Sequence, residues 1–211
     1  MTIRHSCSHF LPLLCSGRLL HSSSCSPCAF QNPNERGYIM RTEYIDYGDL
    51  SHLFAVLMEA NALILRVSLE TGLRLGDCCA LTTEQVRRQR FTVREQKTGK
   101  SRRVHLSKGL QAAILAQAGT LYAFPHRTDP QRHRTRQAVY SDLKRAARAF
   151  RIPQNVAPHT MRKLYAKTLF DQCGDMELVQ RALNHDRITT TLIYALCDQI
   201  DSLPKPSRRK G

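Results

Sequence analysis

A histidine and an arginine stand three positions apart in Pro158-His159-Thr160-Met161-Arg162, directly behind a proline suited to the first turn of a helix. That spacing puts both side chains on one face, beside unpaired backbone N–H groups and the positive end of the helix dipole. The pair suits an oxyanion, because a guanidinium fork binds two oxygens at once and keeps its charge at any working pH. Upstream, Thr71-Gly72-Leu73-Arg74 sets another arginine just after a glycine turn, with Asp77 placed where it could orient the cation. Lys97 lies in Lys97-Thr98-Gly99-Lys100, from which a flexible ammonium could reach a nucleic-acid groove. Near the other end His185 precedes Tyr194 by nine residues, with a run of threonines between them. Chemistry at a phosphodiester needs donors for the non-bridging oxygens, an in-line nucleophile and an acid for the leaving oxygen. These residue types can fill all of those roles. Each also has a plainer explanation: a solvated helix pair, a routine turn lysine, a structural Arg–Asp pair, a buried tyrosine on an amphipathic helix.

Elements must bring such scattered residues together, and the sequence pattern supplies them. Apolar residues recurring at three and four positions predict one long helix over 49–70, stopped at Thr71-Gly72. A short helix and turn follow over 73–86. Alternating residues in "RFTVREQKTGKSRRVHL" predict a two-stranded hairpin around Lys97–Lys100. Ser107 is placed to cap a helix beginning at Lys108. "TRQAVYSDLKRAARAF" reads as an amphipathic helix with a basic face, and Pro158 opens another that stops at Gly174. "DMELVQRALN" and "TTTLIYALC" complete the set as two short helices. The expected fold class is mainly α with a small antiparallel β-sheet. Residues 1–39 have no helical or strand periodicity and are expected to be a poorly ordered leader. The folded unit is expected over 40–200, with a flexible basic tail over 201–211.

Charge narrows the partner. The formal net charge is +15, and residues 74–167 hold 21 Lys/Arg against 5 Asp/Glu. Cations concentrated in one region suit a polyanion, whose phosphates reward their neutralisation by releasing counterions, although a merely soluble basic surface would also carry them. No apolar run approaches the ~18 residues of a membrane span. "FLPLLCSG" imitates a secretory core but is too short, so a cytoplasmic protein is expected. The eight cysteines include an adjacent pair, Cys78-Cys79, and a cluster at Cys7, Cys15, Cys25 and Cys28, which forms no closed disulfide framework. Cys25-x-x-Cys28 with His21 hints at zinc but has no second ligand pair, and no metal site is expected.

The order of the chemical residues carries a resemblance. "TGLRLGD", "QKTGKSRRVHL", "PHTMRK" and "LNHDRITTTLIYA" together resemble the catalytic domain of the tyrosine recombinases, the phage-integrase family. The resemblance implies a site-specific recombinase that cuts and rejoins double-stranded DNA through a 3′-phosphotyrosyl link. Tyr194 would be the nucleophile. Arg74 and Arg162 would hold the non-bridging oxygens, and His159 would position the phosphate and manage the tyrosine proton. Lys97 would protonate the leaving 5′-oxygen, and His185 would donate to a non-bridging oxygen. Asp77 would support the site, while Lys100, Arg102, Arg103 and Lys163 would contact DNA. No cofactor is implied, since the covalent link conserves the bond energy for rejoining. A homo-oligomer, tetrameric in synapsis, and accessory DNA-bending proteins are the implied partners. One departure is Asn184, where the family more often has glycine in "L-G-H", a loop change that leaves the chemistry alone. Another is that residues 1–39 are not expected to supply the family's separate N-terminal clamp. A type IB topoisomerase-like enzyme shares the chemistry. A non-catalytic DNA-binding protein would use "AKTLFDQCGDMELVQRAL" as a helix-turn-helix.

Overall fold

The computed structural model describes residue 45, residues 47–152 and residues 154–185, all within the unit Met40–Gly211. The expected leader, the "TTTLIYALC" helix with Tyr194, and the tail lie outside the described residues. Among the described residues, eight helices and one hairpin follow in the order α1 Tyr47–Val56, α2 Glu59–Thr71, α3 Leu75–Cys79, α4 Thr83–Arg87, β1 Arg90–Arg94, β2 Ser101–His105, α5 Lys108–Gln117, α6 Arg136–Ala149, α7 Pro158–Cys173 and α8 Met176–Leu183. The mainly helical class with a small antiparallel sheet is what the sequence pattern leads one to expect.

Helix α2 runs through the middle of the unit. Ile64, Leu65 and Val67 are fully buried, and the helix packs against α3, α5, α6 and α7. Leu53, Ile114, Phe124, Leu143 and Met161 close the same core from other elements. A second apolar cluster joins α7 to α8 through Ala166, Val179 and Leu183. The hairpin pairs Arg90 with His105 and Arg94 with Ser101, its alternation turning Phe91, Val93 and Val104 inward. Caps appear where side-chain chemistry places them: Ser107 on α5, Thr135 on α6 and Asp175 on α8 each accept from a backbone N–H.

The single helix expected over 49–70 is broken instead at Leu57-Met58. Side chains from α6 take over the backbone bonds that the break releases. The Asp142 carboxylate accepts the Met58 N–H at 2.9 Å and the Asn61 amide at 2.7 Å, and Arg145 donates to the Val56 carbonyl at 3.2 Å. Hydrophobic periodicity runs across the break unaltered, and the partners that stabilise it are more than eighty residues away. The short helix and turn expected over 73–86 form two one-turn helices, the second started by a capping box between Thr82 and Gln85.

Candidate active site

An open cleft of about 980 Å³ is lined by Arg74, Asp77, Lys97, His159, Arg162 and His185. Four separate stretches deliver these six side chains: the turn into α3, the hairpin tip, the first turns of α7 and the end of α8. Among the described residues lining the cleft, Asp77 is the sole carboxylate.

Arg162 is the best-held member. It is 2% exposed, and its Nη1 donates to the Gly72 carbonyl at 2.5 Å while Nη2 donates to the Leu183 carbonyl at 2.6 Å. One guanidinium thus ties the end of α2 to the end of α8. Gly72 is required here twice over. Its φ of +66° ends α2 in the left-handed region, and a Cβ would sit 2.4 Å from the Tyr165 ring. Asn184 plays the matching part at α8, capping it at φ +53°. Glycine suits that conformation best and asparagine tolerates it, so the departure from "L-G-H" keeps the backbone geometry. Beyond the cap, Gln180 brackets His185, its carbonyl accepting the His185 N–H and its amide donating to the His185 carbonyl, both at 3.1 Å.

Arg74 caps α3 and forms an ion pair with Glu95 rather than with Asp77. Asp77 instead turns to the hairpin, where its Oδ1 accepts the Gln96 N–H at 2.9 Å and so anchors the residue before Lys97. Burial pushes the Asp77 carboxyl up, and neighbouring Glu95 adds to this against the opposing Gln96 bond and the Arg74 and Arg162 charges. Lys97 is exposed at the hairpin tip. His159 sits on the rim of the cleft. Partial withdrawal from water lowers its pKa below the usual 6.5, and repulsion from Arg162, Lys163, Lys97 and Arg74 lowers it further. The imidazole is therefore poised neutral near pH 7, able to accept a proton.

The expected DNA contacts divide. Lys100 and Arg103 are exposed on the hairpin, and Lys163 is half-buried on α7. Arg102 departs from the expected surface contact. Strand alternation turns it inward with Val104, leaving its side chain 9% exposed and its Nη1 3.9 Å from Glu95 Oε1. Motif spacing did not single out Glu95, which is fully buried, or Arg136, Gln137 and Tyr140, which line the cleft from the start of α6. Extending the β1 alternation by one step puts Glu95 on the buried face, and that is the signal that marks it.

The described residues lining the cleft include three arginines, a lysine and two histidines, and the mainly helical domain that carries them has counterparts among known proteins. The phage integrase family model matches residues 44–199, and the chain belongs to that family. It is 30% identical over 154 residues to the integrase of Escherichia phage P2, covering 73% of this chain and 43% of that protein. It is 27% identical over 147 residues to the tyrosine recombinase XerC of Mesorhizobium japonicum, covering 65% of this chain and 47% of that one. The chain thus spans about half the length of these curated relatives. Among solved structures the fold is similar to the XerA recombinase, with a TM-score of 0.62 at 20% identity over 82% of this chain and 68% of that one. It is also similar to the catalytic domain of the bacteriophage HP1 integrase, with a TM-score of 0.52 at 22% identity over 79% of this chain and 98% of that one.

Proposed function

We propose that the protein is a site-specific DNA recombinase or integrase that cleaves and rejoins DNA through a 3′-phosphotyrosyl intermediate on Tyr194. The observation that carries this reading is the convergence of Arg74, Lys97, His159, Arg162 and His185 on one cleft from four stretches of the chain. The Tyr194 oxygen attacks phosphorus, the bond to the 5′-oxygen breaks, and the new phosphotyrosyl bond preserves the energy for religation. His159, neutral at the start, takes the tyrosine proton, while Lys97 gives a proton to the departing 5′-oxygen. Arg74, Arg162 and His185 stabilise charge on the non-bridging oxygens as the transition state forms. A free tyrosine has a pKa near ~10, so its activation depends on the cationic surround. Asp77 supports the site through the backbone of the hairpin tip.

Double-stranded DNA is the proposed substrate, with Lys100, Arg103 and Lys163 meeting its backbone beside the cleft. One solved relative of similar fold, the XerH recombinase, is bound to its difH substrate. Each tyrosine opens one strand, and exchange between two duplexes opens all of their strands, so a tetramer in synapsis is the fitting assembly, aided by DNA-bending proteins. The folded unit would run over 40–200, and the protein would act at the nucleoid.

The test is covalent capture. A nicked suicide duplex, bearing a site selected from a random pool by the Tyr194→Phe protein, should form a denaturation-resistant adduct with the unaltered chain. Tyr194→Phe should bind that duplex and form none, whereas Tyr140→Phe and Tyr165→Phe should still react. Adduct from Tyr194→Phe would remove the tyrosine from its role.

A further inference from the structure

We infer that Glu95 is a positioning residue that holds both Arg74 and the loop carrying Lys97 in reacting geometry, an inference resting on the cleft's role in DNA cleavage. The carboxylate is fully buried and gathers three segments. Arg74 reaches it from the start of α3, Thr98 Oγ1 donates to Oε2 at 2.8 Å from the hairpin tip, and Arg102 approaches Oε1 to 3.9 Å from β2. Its backbone closes the tip as well: the Glu95 N–H donates to the Lys100 carbonyl at 2.9 Å, and the Glu95 carbonyl accepts the Gly99 N–H at 2.8 Å. Lys97 therefore sits in a short loop fastened on Glu95, and the Arg74 fork is pinned to the same side chain through Nη1.

A buried negative charge beside a phosphate-binding cleft opposes anion binding by simple Coulomb reasoning. Its benefit must come from order. A long arginine loses much rotamer freedom when it is fixed, and a carboxylate that fixes it beforehand leaves the rest of the planar fork aimed at the ligand. Preorganised donors lower the barrier without reorganising at the moment of reaction. The two effects separate in one variant. Glu95→Gln should bind anions as well as the unaltered protein or better, and cleave more slowly.

The full chain supports four measurements. Inorganic phosphate, titrated at low salt, should bind Glu95→Gln with a Kd equal to or below that of the unaltered protein. Single-turnover adduct formation on the selected suicide duplex should slow about tenfold or more, with the half-saturating duplex concentration within about twofold. Thr98→Val removes one tether and leaves Arg74 untouched. It should slow the normal duplex, and a 5′-phosphorothiolate duplex, which needs little acid assistance, should recover most of the loss. An unchanged cleavage rate in Glu95→Gln overturns the inference. So does parallel loss of cleavage, duplex affinity and thermal stability, which marks a merely structural residue. If the unaltered chain binds duplex and phosphate but makes no adduct, the recombinase reading fails instead. Glu95 is then judged on the Arg74 Nε–H NMR signal, whose solvent exchange should quicken at least about tenfold in Glu95→Gln; an unmoved signal overturns the positioning role.

Discussion

Two acid–arginine clusters, each built on a buried carboxylate, stand in different parts of this molecule, and they are satisfied to different degrees. At the break between α1 and α2, Asp142 uses both oxygens fully: Oδ2 takes the Met58 N–H and the Asn61 amide, and Oδ1 takes two Arg145 nitrogens. Asn61 in turn accepts from Arg134 Nε at 2.5 Å. At the cleft, Asp77 Oδ2, Glu95 Oε1 and Arg102 Nη1 find no hydrogen-bond partner among the described residues. Glu95 and Arg102 face each other at 3.9 Å, an ion pair without a hydrogen bond. A fully bonded polar cluster rigidifies a joint, while under-bonded polar groups concentrate where a protein reserves capacity for something else. The first cluster maintains the fold. The second serves the cleft.

Arg162 belongs to both worlds, and its replacement has the largest expected effect. Arg162→Ala strands the Gly72 and Leu183 carbonyls and opens a cavity, which should cost about 2–4 kcal/mol of stability. It also removes a proposed phosphate ligand, so adduct formation should vanish even when the variant is assayed well below its melting midpoint. Chemical denaturation and the suicide duplex measure the two losses separately. Adduct formed at the normal rate would confine Arg162 to architecture.

Titration sharpens the contrast with a smaller effect. Burial alone would raise the Asp142 carboxyl, but bonds from Asn61, Arg145 and Met58 outweigh it and hold the group below the ordinary 3.8. Its contribution is present above 3.8 and is lost as pH falls through the depressed folded value. Asp77 is raised above 3.8, so its contribution is present below that value and is lost as pH rises through the elevated folded one. In thermal melts across acid pH, Asp142→Asn should flatten the fall in midpoint below 3.8, and Asp77→Asn should steepen the fall just above it. Identical slopes in the two variants would erase the distinction.

Much of this was legible in the chain. Hydrophobic period and caps place α5, α6, α7 and the hairpin, because local chemistry decides their ends: Ser107, Thr135, Pro158 and Gly174 each act within a few residues. Spacing also picked out residues that share one cleft, since Arg74, Lys97, His159, Arg162 and His185 all line it. What spacing could not reveal was long-range pairing. Asp142 reaches back 84 residues to break the first long helix, and Arg74 chooses Glu95, 21 residues on, over Asp77 in its own helix. Arg102 shows the same limit from the other side. An arginine in a basic run reads as surface, and only the strand's alternation turns it inward.

The division between the cleft and the Asp142 cluster is tested most directly by adduct yield per folded molecule in Lys97→Ala and Asp142→Ala, assayed side by side on the suicide duplex. Lys97 is exposed, so its replacement should leave the melting midpoint unmoved while cleavage falls by about 10²–10⁴-fold, the usual worth of a positioned general acid. Asp142 is buried and fully bonded, so its replacement should cost about 2–4 kcal/mol, with cleavage per folded molecule within about twofold of the unaltered chain. A Lys97→Ala protein that cleaves normally, or an Asp142→Ala protein that stays folded but stops cleaving, would contradict the assignment of chemistry to the cleft and stability to the Asp142 cluster.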